Sequence, residues 1–283
     1  MAVASLEDLA NRPTAEIAVV GTPLVLRTLT VGQASVALRP INTELFIDHP
    51  SDYEATFNEF LSLLAKLSSA KGAISSSEKE AMRASRTISR ALYTTLQAAG
   101  ATMDYLCSSQ HARKNYGMRF EELIEAMFEA LGLGHEPINF GLSYTAEGVP
   151  QIFNNQVDLV ISKKKKIEST RTRLDAEEVV TSIKTSSKDR FAKIFLDKEL
   201  LRTVTGQEIP VVALFHNDVQ RSGIEKISWT FVAGNFIAYV SAFGPLTGVY
   251  YVDPPIHITK APWKKYLRTF EDLLLEDLWT VVF

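Results

Sequence analysis

Hydrophobic residues recur at helical spacing in three stretches of the first half of the chain. Residues 51–72 and 75–100 each carry one apolar stripe, and each stretch ends at a glycine. The second stretch opens with serines followed by Glu78, which is the pattern of a helix N-cap with its capping-box acid. A third amphipathic stretch covers residues 119–134. These patterns predict three helices. The sequence before residue 50 contains strand-like stretches, but its pattern does not define where a strand begins or ends.

The pattern changes after the third helix, because short β-like runs now alternate with helical sequence. The predicted elements are strands over 156–162, 177–185 and 209–217, further β sequence over 227–244 and 248–255, and helices over 186–204 and 262–279. This order predicts an α/β fold in which helices pack on a mixed central sheet. We expect a mainly helical N-terminal region, residues 1–114, followed by an α/β core, residues 115–283.

Composition narrows the class of protein. Hydrophobic residues make up 46% of the 283 residues and charged residues 22%, which is ordinary for a globular protein. The net charge of -3 excludes a protein that coats nucleic acid through bulk positive charge. The single cysteine, Cys107, excludes an internal disulfide and fits a reducing compartment. With no bilayer-length apolar run and no signal-peptide pattern, we expect a cytoplasmic protein without a membrane partner.

The residues that indicate chemistry lie on two neighbouring predicted strands. Asp158 interrupts the apolar run QVDLVIS, where a carboxylate is costly unless it reaches a cleft or binds a cation. Ser182 and Lys184 are two residues apart near the end of the next strand, so they share a face. If the two strands pair, the three side chains can converge. A carboxylate beside a lysine suits magnesium-dependent phosphodiester hydrolysis, in which the lysine activates or orients the attacking water.

These residues resemble a known family. Asp158, Ser182 and Lys184 are similar to the signature of the PD-(D/E)xK nucleases, in the SxK variant found in some Type II restriction endonucleases. The similarity extends to Lys188, Asp189 and Arg190, which resemble the (K/R)-(D/E)-R element of the group that recognises CC/GG sites. The resemblance covers about residues 115 to 255 and implies a restriction-endonuclease-like core with a mixed sheet flanked by helices.

The resemblance also implies further acids in the catalytic site and bound Mg2+. Asp197 stands at the family's offset of thirteen residues after Lys184, although the family usually has Glu there, and Glu199 remains an alternative. On the preceding helix, Glu121 follows a phenylalanine as in the family pattern. The implied metal ligands are therefore Asp158, Asp197 and Glu121. Val157 departs from the family's usual proline.

The chemistry of the Lys188-Asp189-Arg190 triplet agrees with a role in reading DNA. Arginine and lysine pair with guanine O6 and N7 in the major groove, and aspartate accepts from cytosine N4. The resemblance implies double-stranded DNA with a palindromic CC/GG site as partner. A palindrome in turn implies a homodimer in which each subunit cuts one strand.

Two other functions stay open on the sequence alone. A repair or junction-resolving nuclease of the same fold would read DNA structure and would have no need for the basic-acidic-basic triplet. A DNA-binding protein on an inactive nuclease core would have no need for both Asp158 and Lys184.

Overall fold

The computed structural model describes residues 14–18, 24–31, 34–106, 109–187, 190–221, 227–229 and 231–282. The strands are β1 (Thr14–Ala18), β2 (Leu24–Val31), β3 (Ala34–Asn42), β4 (Gly134–Ala146), β5 (Val149–Ser162), β6 (Glu178–Ser186), β7 (Val211–Asn217), β8 (Val219–Arg221), β9 (Ile227–Trp229), β10 (Gly248–Tyr251) and β11 (Leu267–Thr269). The helices are α1 (Pro50–Ala70), α2 (Ser76–Ser85), α3 (Thr87–Leu106), α4 (Ser109–Ala130), α5 (Arg190–Thr205), α6 (Ala233–Phe243), a 3-10 turn (Trp263–Lys265), α7 (Phe270–Asp272), a π-helical stretch (Leu273–Asp277) and α8 (Leu278–Val282).

A mixed six-stranded sheet in the order β11-β10-β7-β6-β5-β4 forms the centre of the molecule. Strands β4, β5 and β6 pair antiparallel, whereas β6, β7, β10 and β11 pair parallel. All seven residues of β7 are buried. This explains why its sequence VVALFHN begins with a continuous hydrophobic run and does not alternate between hydrophobic and polar residues. The predicted α/β class with a mixed sheet is the observed one.

Helices cover both faces of this sheet. On one face, α1, α3, α4 and the C-terminal helices pack against side chains such as Leu159, Ile183 and Leu214 in one hydrophobic cluster. On the other face, α5 and α6 pack against Val180 and Phe215 in a second cluster. Alternate residues of each strand enter alternate clusters, so the pleat of the sheet separates the two cores.

The N-terminal part agrees with the predicted helices in type but not at every boundary. Ser75 caps α2, and Glu78 completes the capping box, as the sequence predicts. The stretch predicted as one helix is two, because Arg86 adopts a left-handed conformation with φ of 54° between α2 and α3. Before residue 50, β1, β2 and β3 form a three-stranded antiparallel sheet.

The β prediction for residues 227–244 is wrong over most of its length. Among the described residues of this range, Ile227–Trp229 is a strand paired with β8, and Ala233–Phe243 form α6. The run is rich in aromatic and branched side chains, which favours a strand locally. Its aromatic residues nevertheless recur every three to four positions, and Phe236, Tyr239 and Phe243 all contact Phe195 of α5. Packing against α5 therefore decides the conformation.

The predicted final helix over residues 262–279 also needs correction. Its first part contributes the edge strand β11, which pairs parallel with β10. Helix begins only at Phe270, where Thr269 accepts a hydrogen bond from the backbone N–H of Asp272 in a capping box. The sequence analysis also did not predict strand β4, which forms a long antiparallel hairpin with β5.

The proposed division into residues 1–114 and 115–283 remains a prediction. Helix α4 runs through the boundary, and one hydrophobic cluster joins Ile41 to Trp279. Among the described residues, no helix combines the length and the apolar character needed to cross a membrane.

Candidate active site

Strands β5 and β6 are neighbours, so the condition for convergence of the predicted residues is met. Leu159 pairs with Thr181 in the antiparallel register, immediately beyond Asp158. The Asp158 Oδ2 atom accepts hydrogen bonds from Lys184 Nζ, from the backbone N–H of Ile183 at 2.7 Å and from Ser182 Oγ at 3.4 Å. The side chains of Asp158 and Lys184 are 21% and 19% exposed, which leaves them accessible at a surface depression.

That depression is a cleft between the sheet and helix α5, and it is open to solvent. Asp158, Ser182 and Lys184 line it from the strands, and Lys193 and Asp197 line it from the helix. The cleft therefore brings together two carboxylates and two lysines, and its floor is the apolar interface between α5 and the sheet.

The two candidates for the third acid differ in their surroundings. Asp197 lines the cleft and pairs with Lys193 at 2.5 Å between Oδ2 and Nζ, with 20% of its side chain exposed. Glu199 instead pairs with Arg202 of the same helix at 2.7 Å. Positions two residues apart on a helix are separated by about 200°, so the two acids face different directions. The geometry favours Asp197 over Glu199, as the offset argument does.

Glu121 approaches the same strands from helix α4. Partial burial raises the pKa of the Glu121 carboxyl above its usual value, and the negative charge of Asp158 raises it further, while Lys184 lowers it. The repulsion between Glu121 and Asp158 means that the two carboxylates lie within electrostatic range of each other.

The donor set fits a hard divalent cation. Carboxylate oxygens are the ligands that Mg2+ prefers, and a cation between Glu121 and Asp158 would relieve the repulsion that raises the pKa of Glu121. Within the part of the chain that the structure describes, no three acidic, histidine or cysteine side chains form one ligand cluster. Lys184 and Lys193 hold Asp158 and Asp197 instead. The roles predicted for these residues remain predictions.

Of the predicted recognition triplet, Lys188 and Asp189 lie outside the described residues. Arg190 is exposed at the first position of α5, and its backbone N–H donates to the Ser187 carbonyl at 3.2 Å. The side chain is therefore available at the N-terminal end of the helix that carries Lys193 and Asp197.

Sequence reasoning missed two features near the site. Lys193 precedes Asp197 by four residues, so helical spacing alone would have placed the two on one face. A buried polar group at and beyond the carboxyl ends of β7 and β10 could not be predicted in this way, because its members come from distant parts of the chain. It contains Asn42, Tyr93, Tyr116, His216, Asn217, Asp218 and Asp253.

Comparison with solved structures identifies the fold. The Type IIP restriction endonuclease Kpn2I aligns with a TM-score of 0.70 and 17% sequence identity, over 98% of this chain and 88% of that chain. This chain therefore has the restriction endonuclease fold, which confirms the fold class predicted from the sequence.

The other comparisons add nothing to the identification of the fold. The restriction endonuclease PspGI in complex with substrate DNA aligns with a TM-score of 0.41 and 14% identity, over 69% of this chain and 78% of that chain. That TM-score is too low to argue from. No family model matches the chain, and no curated protein is similar to it.

Proposed function

We propose that this protein is a Type II restriction endonuclease that hydrolyses double-stranded DNA at a palindromic site with CC/GG half-sites. The observation that carries the proposal is the contact of Lys184 and Ser182 with Asp158 at an open cleft, on strands of the restriction endonuclease fold. Because one fold can host several activities, the argument for catalysis rests on these side chains rather than on the fold.

The proposed chemistry divides the work among the residues of the cleft. Asp158, Asp197 and Glu121 would hold Mg2+, which when bound neutralises charge on the scissile phosphate. Lys184 donates to Asp158, and its ammonium is positioned to orient a water and to stabilise developing negative charge. Ser182 and the Ile183 N–H fix the Asp158 carboxylate, which keeps the orientation of Lys184 constant.

Recognition is assigned to the segment that precedes and opens α5. Arg190 is exposed at the start of the helix, where its guanidinium fork can engage guanine O6 and N7 together. Lys188 would contact the same edge, and Asp189 would accept from a cytosine amino group. Since a palindrome presents two equivalent half-sites, we propose a homodimer in which each subunit cuts one strand.

The test is incubation of the purified protein with plasmid DNA in the presence of MgCl2. Discrete fragments, absent in EDTA, are expected, and sequencing of their ends should reveal a palindrome containing CC and GG. The Lys184→Ala variant is the matched control, since it should lose cleavage while it keeps specific binding to the same duplex.

Other outcomes of this test would favour the alternative functions. Products confined to nicked or branched DNA would indicate a structure-specific repair or junction nuclease. Binding without cleavage at any magnesium concentration would indicate an inactive DNA-binding protein. Discrete fragments whose ends lack CC and GG would leave the enzyme class standing and overturn the proposed site.

A further inference from the structure

Both carboxylates that line the cleft are paired with a lysine, but the two pairs differ in how firmly they are held. Asp158 also accepts from the Ile183 N–H at 2.7 Å, and its partner Lys184 is only 19% exposed. Asp197 is paired with Lys193 of the same helix, whose side chain is 50% exposed. Although the Asp197 side chain is only 20% exposed, its partner Lys193 can turn into solvent, and ion pairs between neighbouring turns of a helix are weak, so the contact can open at little cost.

A third lysine that lines the cleft is committed elsewhere. Lys198 is buried, and its Nζ atom donates to the carbonyl oxygens of Phe243 at 3.1 Å and Pro245 at 3.2 Å. These bonds hold the end of α6 against α5. Lys193 therefore differs from Lys198 in two ways. Its side chain is exposed, and its partner is the Asp197 carboxylate, which a cation could bind in place of the lysine.

We propose that Lys193 is an exchangeable counter-ion of Asp197 that becomes a phosphate-binding residue once a divalent cation occupies the carboxylate. This inference rests on the proposed function, and it assigns a second lysine to the reaction. The lysine and the cation compete for the same carboxylate oxygens, so they cannot both bind there at full strength. The released ammonium stays tethered beside the cleft, where the DNA backbone would lie.

Binding of the cation also changes the net charge of the cleft. Asp158 and Asp197 are neutralised by Lys184 and Lys193 in the structure. Addition of a divalent cation makes the same group of side chains net positive, which favours a phosphodiester backbone. The metal would therefore strengthen DNA binding partly through Lys193.

The first experiment measures metal binding without DNA or catalysis. Calorimetric titration of Mn2+ into the full chain is compared for wild type, Lys193→Gln and Lys193→Arg. Loss of the competing ammonium should tighten Mn2+ binding about two- to fivefold in Lys193→Gln, the amount expected for an exposed ion pair. Lys193→Arg keeps the charge and should bind like wild type. Unchanged or weaker binding by Lys193→Gln, or undetectable binding by wild type, would overturn the proposal.

A matched control is provided by Lys66, which pairs with Glu78 and is 51% exposed on α1, away from the cleft. Lys66→Gln removes an equally exposed lysine and the same charge. It should leave Mn2+ affinity unchanged. A gain as large as that of Lys193→Gln would mean that net charge, rather than competition at Asp197, is responsible, and would also overturn the inference.

The second experiment measures the salt dependence of DNA binding. With Ca2+ present, Lys193→Gln should lower the slope of log affinity against log salt by about 0.9, the value for one phosphate contact. In EDTA the variant and wild type should give the same slope. Equal slopes with Ca2+ would overturn the phosphate-binding role.

Failure of the proposed function can be told apart from failure of this inference. If wild type cuts no DNA but Lys193→Gln still tightens Mn2+ binding, the nuclease assignment fails and the exchange stands. If wild type cuts DNA and the metal affinities are equal, the nuclease assignment stands and the exchange fails.

Discussion

Asp158 and Glu178 are two acids on paired strands, yet their environments have little in common. Glu178 at the start of β6 is fully buried, and its carboxylate accepts from the backbone N–H groups of Glu168 at 2.6 Å and Ser169 at 3.0 Å. Asp158 is partly exposed and takes a lysine at the edge of a cleft. A carboxylate whose oxygens are satisfied by backbone groups holds a loop in place, whereas one at the edge of a cleft can also reach a ligand that enters the cleft.

Loss of Asp158 should have the largest effect on activity. The Asp158→Ala variant removes the oxygen that Lys184 and the cation would share, so the cleavage rate should fall by at least about 10^3-fold. Its melting temperature should change by only a few degrees, because the Asp158 side chain is partly exposed and water can take its place in the cleft. Single-turnover cleavage and thermal melting measure the two effects. Cleavage at the wild-type rate would remove Asp158 from the active site.

Loss of Glu178 should lower the stability of the fold and leave the cleavage activity of the folded protein unchanged. Glu178→Ala removes a buried acceptor from the partly buried N–H groups of Glu168 and Ser169, which should cost about 1–3 kcal/mol of unfolding free energy. Urea denaturation measures this loss. Cleavage per folded molecule should be unchanged at a temperature where the variant is folded. A selective loss of cleavage with normal stability would show that the two acids are not separated as proposed.

Asp197 and Glu199 of helix α5 provide a second comparison between an acid that faces the cleft and one that does not. Asp197→Ala should lower metal-dependent cleavage about 10- to 100-fold, because Asp197 faces the cleft. Glu199→Ala should lower it less than about threefold, because Glu199 pairs with Arg202 away from the cleft. Rates measured across a magnesium titration distinguish the variants. The reverse order would mean that Glu199 is the third acid.

Arg190 tests whether the start of the same helix reads bases. Arg190→Ala should remove about 1–3 kcal/mol of discrimination between a CC/GG palindrome and a scrambled duplex. Binding of both duplexes at two salt concentrations measures this. The Lys163→Ala variant, outside the cleft, should weaken both complexes alike if Lys163 contacts DNA at all. Equal losses with Arg190→Ala would make Arg190 a phosphate contact.

Asp218 and Asp253 represent a third kind of carboxylate, which is buried. Burial raises the pKa of Asp218 to about 7, with the charge of Asp253 adding to the effect, and burial raises the pKa of Asp253 to about 7 against its bond from Asn42. Because both folded-state pKa values lie above the ordinary 3.8, ionisation favours the unfolded chain. Stability should therefore fall as pH rises from about 4 to 7.

Asp253→Asn measures this cost directly. The variant should gain at least about 1 kcal/mol over wild type at pH 8 and nothing at pH 4, because only the charge is removed. Urea denaturation across this pH range provides the comparison. A gain that is independent of pH would place the effect in packing rather than in ionisation.

The convergence of Asp158, Ser182 and Lys184 could be predicted from the sequence for a physical reason. Asp158, Ser182 and Lys184 lie on strands consecutive in the chain, and side chains alternate along each strand, so local rules suffice once the strands pair. Those rules do not say which strand a helix covers. Residues 227–244 have the composition of a strand, and contacts with helix α5, among them those with Phe191 and Phe195, favour a helix over residues 233–243.

Two other features were not predicted because they depend on contacts between distant parts of the chain. Strand β4 contains a proline and many polar residues, and its conformation depends on the register with β5. The buried polar group around Asp253 and His216 combines residues from distant positions. Contacts across the chain cannot be read from spacing within one element.

The ties between the two ends of the chain have a consequence for its synthesis. Asn42 bonds Asp253 across 211 residues, Ser89 bonds Glu271 across 182 residues, and the parallel edge strand β11 completes the central sheet. Such contacts form only after the later partner has left the ribosome. Part of the apolar surface of the N-terminal helices therefore stays uncovered until the segment that contains Glu271 has been translated. A slow translation of the last segments would prolong this vulnerable period and raise the demand for chaperones.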